Sequence, residues 1–458
     1  MCGIHRRTLL KNAGAGAAAA GAAVLLSGCA DDTGTKAGST TSPGRKTSGT
    51  TAIQNVRIFD GERVITARTV VIEGHKIVQV GGKAPSGATV VDASGATLLP
   101  GLIDGHTHTS DDGLKNALLF GVTTELEMQG GGHDPEKTDN NDSIADVRSA
   151  GTGVGAPGGH PSELFPEGGP PGVPPEGADT GDGSGPPPDE GVSNPREAVK
   201  LIRRVVADGA DYVKIMIEDG SVLGAAGLPA LSNDTIVASV AEAHRLGKMA
   251  VAHALTVQAF EQAIDAKMDG LVHLFIDRPA DAKIVRKVAD SKVFVTACLC
   301  LNRSIMGGTG ADFAADKRVS SRLSKEWLDT LRHGSLNHYP EGNFEDVLGS
   351  VLALHKAGVD ILVGTDVSVA VRYLGGLAHG ASVHHELQLL VQAGLTPVQA
   401  LRAATSVPAR RFGLKDRGRI AEGLRADLLL VDGDPTRTIS DSLSIREVWR
   451  RGARQPRR

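Results

Sequence analysis

Short apolar segments alternate with amphipathic segments through residues 100–414 of this chain of 458 residues. Helical patterns at 195–208, 233–246 and 344–357 separate apolar runs that have the length of buried strands. Such an alternation predicts parallel strands joined by helices, and eight strands are the number that closes a barrel. We therefore expect an α/β fold with a (β/α)8 TIM-like barrel, whose strands end near Asp104, Glu127, Ala156, Ile217, Ala254, Leu274, Ala297 and Thr365.

Two segments outside the alternating region have a different pattern. Residues 51–99 contain short alternating or apolar runs, separated by turn pairs such as Asp60-Gly61 and Gly81-Gly82, which favour hairpins. Similar runs return in residues 415–458. Because the two segments are alike, we expect both to contribute to one small composite β-sheet domain.

The first 29 residues have the pattern of an export signal. Arg6 and Arg7 precede an alanine-rich apolar run that ends in Leu26-Ser27-Gly28-Cys29, which is the order of charged, apolar and small residues typical of a secretory signal. The arginine pair resembles a twin-arginine signal, and the last four residues resemble a bacterial lipobox. A transmembrane anchor is the weaker alternative, since the apolar run is shorter than the ~20 residues of a span. We expect a lipid anchor at Cys29, a flexible tether over residues 30–50, and a location on the outer face of the cytoplasmic membrane.

Charge and cysteine content narrow the classes of partner. A net charge of -4 provides no basic surface, which argues against nucleic acid. Two of the four cysteines fall in the export signal, and Cys298 and Cys300 are near neighbours, so no disulfide framework is indicated. We expect a small-molecule substrate and membrane attachment through the lipid anchor, and a homo-oligomer is compatible with the sequence.

Two histidines at alternate positions end the first predicted strand. Alternate side chains of an extended chain project to the same side, so His106 and His108 have the arrangement of paired metal ligands. An isolated His-x-His is more often a pair of ordinary loop residues, because short motifs match by chance. The metal interpretation therefore depends on other ligands further along the chain.

Lys214 lies inside an apolar predicted strand, where a lysine charge is costly without a partner. A salt bridge or a lysine that reaches the surface would satisfy the charge. The alternative is an amine that stays neutral because it is desolvated, takes up carbon dioxide and becomes a carbamate, N6-carboxylysine. Such a group is an anionic oxygen ligand that could bridge two metals.

Three more candidate ligands follow predicted strands. His253 and His273 each end a short apolar run, where a buried core histidine is the usual alternative, and Asp366 follows the last run, where a helix N-cap is the alternative. Six candidates at the same end of five strands are hard to explain as separate coincidences. The pattern predicts a metal site at the carboxyl end of the barrel.

These residues lie in motifs that resemble the amidohydrolase superfamily, and within it the imidazolonepropionase-like and prolidase-like enzymes. The resemblance extends from about residue 51 to 452. The motifs that carry it are Pro100-Gly101-Leu102-Ile103-Asp104-Gly105-His106-Thr107-His108, Gly209-Ala210-Asp211-Tyr212-Val213-Lys214-Ile215, Gly364-Thr365-Asp366 and Gly423-Leu424-Arg425-Ala426-Asp427-Leu428.

By position, the resemblance implies specific roles for the candidate ligands. His106 and His108 would bind a first metal, His253 and His273 a second, and a carboxylated Lys214 would bridge the two. Asp366 would be both a ligand and the catalytic proton shuttle. The implied cofactors are divalent metals, which we expect to be two zinc ions per chain.

Substrate contacts are the least constrained part of the prediction. The Gly- and Pro-rich segment 158–193 and the long connection 301–343 both follow strands, so they should overhang the carboxyl face of the barrel. His160, in the first of them, is a candidate for contact with the substrate carbonyl or a loop-packing histidine. Arg372 is a candidate for a substrate carboxylate or an exposed arginine. His379, His384 and His385 also cluster in sequence, but their place beyond the last strand predicts a supporting role.

The sequence therefore favours a metal-dependent hydrolase that cleaves an amide, peptide or related cyclic C–N bond of a small molecule with activated water. Hydrolysis of a lactone, ester or phosphotriester on the same site is the first alternative. A lipid-anchored binding protein without catalysis is the second, and it is disfavoured because no expected ligand is missing. Fold alone would not decide among these functions.

Overall fold

The computed structural model describes residues 49–130, 138, 140–164 and 191–456. The predicted export signal with Cys29, nearly all of the predicted tether and most of segment 158–193 lie outside these residues. Within the described part of the chain, no helix combines the length and the apolar character that a membrane span needs.

Strands near the two ends of the chain and strands in its middle belong to separate sheets. The strands are β1 (Thr50–Gln54), β2 (Arg57–Phe59), β3 (Val64–Ile65), β4 (Thr69–Glu73), β5 (Lys76–Val80), β6 (Thr89–Asp92), β7 (Ala96–Pro100), β8 (Leu102–Thr107), β9 (Val122–Glu127), β10 (Asp146–Ser149), β11 (Val213–Met216), β12 (Ala250–His253), β13 (Gly270–Val272), β14 (Phe294–Thr296), β15 (Ile361–Leu362), β16 (Leu428–Asp432), β17 (Ile445–Arg450) and β18 (Ala453–Arg454).

The eight middle strands form two parallel sheets, in the orders β10-β9-β8 and β11-β12-β13-β14-β15. Isolated bridges link the two sheets at both edges, between Thr107 and Val367 and between Val154 and Ile215. This arrangement fits a TIM-barrel-type fold, although the strands of the described residues do not form one closed sheet. β15 has only two residues, and Asp366 adopts a positive φ of 60° soon after it. Few backbone hydrogen bonds can therefore form between β15 and β8.

Apolar side chains from the middle strands share one core. Each of six strands contributes to it, and the side chains concerned are Ile103, Leu126, Val251, Val272, Phe294 and Leu362. Because these residues come from both parallel sheets, the two sheets enclose a common interior. The enclosed core holds the strand ends, and so the candidate site, in fixed positions.

Helices connect the parallel strands along the chain. The predicted helix start at residue 195 is confirmed: Asn194 accepts hydrogen bonds from the N–H groups of Arg196 and Glu197, and Pro195 occupies the first turn, where its missing N–H costs nothing. The α-helices in the described residues are Asp111–Leu119, Pro195–Ala207, Asn233–Arg245, Val257–Asp265, Ala282–Ser291, Leu299–Ile305, Ala311–Ala315, Lys317–Ser320, Lys325–His333, Phe344–Lys356, Ala381–Gln392, Pro397–Ala403 and Ser406–Arg411.

Strands from both ends of the chain share a six-stranded sheet in the order β18-β17-β16-β7-β2-β3, and β5-β4-β1-β6 form a second sheet. Leu429 pairs with Leu99 and Leu430 with Leu98 in the antiparallel register of β16 and β7. Leu98 and Leu430 belong to a small core, whereas Leu99 and Leu429 belong to the main core. This alternation is why similar apolar patterns occur in two segments that are more than 300 residues apart.

A network of arginine and aspartate side chains links β10 to the C-terminal segment. We call it the arginine–aspartate network; it consists of Asp146, Arg417, Arg425, Asp427 and Arg450. Asp146 bonds Arg417 and lies 3.0 Å from Arg425, while Asp427 lies 2.7 Å from Arg425 and 3.4 Å from Arg450. Burial would raise the pKa of Asp146, but the surrounding guanidinium groups outweigh it and hold that pKa well below its usual range.

Candidate active site

The six predicted ligands come from five of the parallel strands or from the residues that follow them. Lys214 lies within β11 and His253 ends β12, whereas His273 and Asp366 follow β13 and β15. His106 is the fifth residue of β8, and His108 follows the end of that strand. We call the six residues the histidine cluster: His106, His108, Lys214, His253, His273 and Asp366.

Asp366 contacts both histidines at the carboxyl end of β8, His106 and His108. Its Oδ1 atom lies 2.9 Å from His106 Nε2 and 3.0 Å from His108 Nε2. His108 Nδ1 donates a hydrogen bond to the carbonyl oxygen of Gln129 at 3.0 Å. When His108 is neutral, its Nε2 lone pair therefore faces a carboxylate oxygen. A cation, either a proton or a metal ion, has to lie between the two atoms.

The protonation states of this group differ within a few ångströms. Burial lowers the pKa of His106 to about 4. Burial would also lower the pKa of His108, but its contacts with Asp366 raise it. Burial opposes ionisation of Asp366 as well, yet the neighbouring histidines hold the pKa of Asp366 well below its usual range. The group therefore presents an ionised carboxylate and a neutral, buried imidazole, which are both metal ligands.

His253 and His273 lie next to the first pair. The ring of His273 is 4.6 Å from that of His106 and 4.7 Å from that of His253, centroid to centroid. Burial lowers the pKa of both His253 and His273 well below the usual value, so both imidazoles are neutral. The Nδ1 atom of His273 is buried and has no hydrogen-bond partner in the part of the chain that the structure describes.

Lys214 is buried within the same site. Among the described residues, its amine forms no hydrogen bond or ion pair, and only 1% of the residue's surface is exposed. Burial lowers the pKa of Lys214 to about 8, against the opposing effect of the Asp366 carboxylate. The structure therefore does not support a salt bridge or a lysine that reaches the surface.

The two substrate candidates have different surroundings. His160 donates from Nδ1 to Glu163 Oε1 at 2.5 Å, and its ring lies 4.2 Å from the ring of His253, so it lies beside the histidine cluster. Arg372 is largely exposed and forms a two-pronged ion pair with Asp329. Its role in substrate binding stays a prediction.

The three other histidines have partners outside the cluster. His379 pairs with Glu125 at 2.8 Å, and His384 donates to the carbonyl oxygen of Phe120. His385 stacks on Phe313. These contacts are consistent with the supporting role that their place in the sequence predicts.

Two polar residues beside the cluster are not among the sequence predictions. Glu218 Oε2 lies 3.1 Å from His253 Nε2, and Cys298 Sγ lies 3.6 Å from His106 Nδ1. Burial raises the pKa of both Glu218 and Cys298. Glu218 could have been found, since it continues the alternation from Lys214 through Met216 and so shares their side of the chain. No local pattern marks Cys298.

Comparison with known proteins gives one family and several distant relatives. The profile described as "Amidohydrolase family" matches residues 167–454. An imidazolonepropionase of Cereibacter sphaeroides is 28% identical over 396 residues, which cover 82% of this chain and 91% of that protein. An adenine deaminase of Methanoregula boonei is 42% identical over 76 residues, 17% of this chain and 12% of that protein. A solved Xaa-Pro dipeptidase with methionine bound in its active site is 22% identical, with a TM-score of 0.65 over 89% of this chain and 99% of that one. This last likeness supports the TIM-barrel-type fold.

Proposed function

Because this chain belongs to the amidohydrolase family and is a hydrolase, we propose that it cleaves an amide, peptide or related cyclic C–N bond of a small molecule with the help of divalent metal ions. The observation that carries this proposal is the approach of His106 and His108 to one oxygen of Asp366 at 2.9 and 3.0 Å. A partly buried carboxylate oxygen that faces two imidazole nitrogens is a ligand arrangement in need of a cation.

The donor atoms fit a divalent metal such as zinc. Imidazole nitrogens and carboxylate oxygens are its usual protein ligands. Among the described residues, the buried Nδ1 atom of His273 has no hydrogen-bond partner, which would be costly if nothing else bound there. His106, His108 and Asp366 would hold one ion, and His253 and His273 a second. When bound, the ions would lower the pKa of a water molecule and polarise the scissile carbonyl.

Lys214 would bridge the two ions as a carbamate. Its depressed pKa of about 8 leaves part of the amine neutral near physiological pH. The neutral amine attacks carbon dioxide, an N–C bond forms, and one proton is released to water. The product replaces an unpaired buried ammonium with a carbamate anion that has two oxygen atoms. These oxygens and the nitrogens of the neighbouring neutral histidines would together be available as metal ligands.

Asp366 would transfer the proton during hydrolysis, and His160 would contact the substrate. The Asp366 carboxylate, ionised and next to His106 and His108, would accept the proton of the attacking water and pass it to the leaving nitrogen. His160 donates Nδ1–H to Glu163, so its Nε2 atom is left to meet the substrate.

A substrate screen tests the proposal. Metal-loaded protein is assayed against N-acyl amino acids, dipeptides, lactones and phosphotriesters, with Asp366→Asn as the matched control. We expect hydrolysis of an amide or peptide that the variant loses. Activity on lactones or phosphotriesters alone would favour the alternative substrates of the same site. No metal-dependent activity on any class would contradict the proposal.

The export signal leads to a separate proposal about location. The Arg6-Arg7 pair and the Leu26 to Cys29 box support a mature protein that begins at a lipidated Cys29, on the outer face of the cytoplasmic membrane. Cys29→Ser should release the protein from the membrane fraction or leave the leader uncleaved. Unchanged fractionation of the variant, with an intact leader in the wild type, would contradict this location.

A further inference from the structure

Glu218 is a buried carboxylate next to one of the proposed metal ligands. Its Oε2 atom lies 3.1 Å from His253 Nε2, and the two side chains are 1% and 5% exposed. The two residues meet because β11 and β12 are adjacent parallel strands, in which Met216 pairs with His253. Glu218 follows two residues after Met216, so its side chain reaches the same edge of the sheet.

The backbone of the following turn fixes the orientation of this carboxylate. Glu218 Oε1 accepts hydrogen bonds from the N–H groups of Gly220 at 2.7 Å and Asp219 at 3.1 Å. Gly220 has a positive φ of 76°, and a Cβ atom there would collide with the carbonyl oxygen of Ala225. One oxygen is thus held by the turn, and the other is directed at His253.

This geometry selects one tautomer of His253. With Glu218 Oε2 as the acceptor, the imidazole proton lies on Nε2 and the lone pair on Nδ1. Histidines that bind metals generally donate their other N–H to such a partner, which fixes the ring and raises its basicity. We propose that Glu218 is a positioning residue that holds His253 with Nδ1 ready for metal; the inference rests on the proposed function.

The other histidines of the cluster have different outer contacts. His108 donates to the carbonyl oxygen of Gln129, and His106 faces the sulfur of Cys298. The buried Nδ1 of His273 has no hydrogen-bond partner within residues 49–130, 138, 140–164 and 191–456. The effect of Glu218 should therefore be confined to the metal that His253 binds.

The test compares Glu218→Ala and Glu218→Gln with Glu163→Gln in the full-length protein. Glu163 bonds His160, which is not a proposed ligand, so its variant is the matched control. Zinc affinity is measured by competition with a chromophoric chelator, and thermal unfolding is measured on the metal-free protein. We expect Glu218→Ala to weaken one zinc by about 10- to 100-fold. The Gln variant should lose less, since its amide oxygen still accepts the N–H, and Glu163→Gln should bind zinc like the wild type.

Three outcomes would overturn the inference, and each would indicate a different role for Glu218 or for the site. Unchanged zinc affinity in both Glu218 variants, with a lower melting temperature of the metal-free protein, would leave Glu218 only a packing role. Loss of one whole zinc equivalent in Glu218→Gln as well as Glu218→Ala would make Glu218 a ligand. A wild-type protein that binds no zinc would overturn the proposed function itself, and the inference with it.

Discussion

Two buried polar clusters of this molecule, the arginine–aspartate network and the histidine cluster, follow opposite rules. In the network, both carboxylates contact guanidinium groups, and the pKa of Asp146 is held well below its usual range by them. In the histidine cluster, one carboxylate faces two imidazoles, and the amine of Lys214 has no ion-pair partner among the described residues. Every member of the network contacts an oppositely charged partner, whereas Lys214 in the cluster does not, within the part of the chain that the structure describes.

The difference separates a cluster that stabilises the fold from one that binds a ligand. Opposite charges in the network compensate each other's desolvation, so the removal of one partner should cost stability and leave the chemistry intact. The histidine cluster places a carboxylate oxygen against imidazole nitrogens, which is costly unless a cation, either a proton or a metal ion, lies between them. Variants of the two clusters should therefore have opposite effects on stability and on metal content.

The largest effect is expected from Lys214→Ala. Loss of the proposed bridge should remove at least one metal and abolish turnover, with partial rescue by short-chain carboxylates that can fill the vacated space. Metal analysis of the purified variant, with Lys214→Met as a control that keeps the apolar stem, measures this. A lower melting temperature with unchanged metal content would mean that Lys214 is structural.

Asp366→Asn should have the next largest effect. The amide keeps the shape and one oxygen ligand but cannot accept a proton, and such general acid–base assistance is typically worth about 10² to 10⁴ in rate. We expect kcat to fall by roughly that factor, while most of the metal is retained and KM changes little. Near-wild-type turnover would remove Asp366 from the proton transfer.

In the network, Asp146→Ala should lower stability without changing the metal. Removing one partner of a buried ion pair costs about 3–5 kcal/mol. Urea unfolding measures the loss, and Asp360→Ala is the matched control, because Asp360 also pairs with two arginines but is partly exposed. A surface pair of this kind should cost about 1 kcal/mol or less. Equal losses in the two variants would contradict the special role of the network.

The stability that Asp146 contributes should depend on pH. Because the pKa of Asp146 is lowered by folding, the stability that it contributes is fully present above its unfolded pKa of about 4 and is lost as the pH falls further. The difference in unfolding free energy between the wild type and Asp146→Ala should be constant from pH 5 upward and shrink in acid. A difference that grows as the pH falls would contradict this assignment.

The smallest effect is expected from Arg372→Ala. Because Arg372 is exposed and already paired with Asp329, we expect turnover and KM to stay within about threefold of the wild type. Steady-state kinetics on an acidic and a neutral substrate measure this. A large rise in KM for the acidic substrate alone would instead give Arg372 the substrate carboxylate.

Local signals in the sequence predict much of the fold and of the cluster. The helix at residue 195 has its cap and proline in the sequence, and His106 and His108 share a side because strands alternate. The incomplete closure of the barrel cannot be predicted from local sequence patterns, because it depends on the path of the residues after β15. The arginine–aspartate network escapes prediction for the same reason: Asp146 meets Arg417 only through the fold.

Glu218 lies between these two cases. Its alternation with Lys214 is visible in the sequence, but its contact with His253 depends on the register of two strands whose paired residues, such as Met216 and His253, are 37 positions apart. The position of Cys298 beside His106 is harder to predict, because the contact is between a residue after β14 and a residue of β8, which are distant in sequence. Ligands at strand ends are therefore readable from a pattern, and the residues that orient them are not.

Zinc stoichiometry of the full-length protein tests the central claim most directly. The wild type and His106→Ala/His273→Ala are dialysed against zinc, freed of excess metal, and measured by elemental analysis. We predict about two zinc ions per wild-type chain, as in other two-metal hydrolytic sites, fewer in the variant, and no loss of melting temperature in the metal-free variant. Equal zinc in both proteins, or none in the wild type, would contradict the claim that the histidine cluster is a metal site.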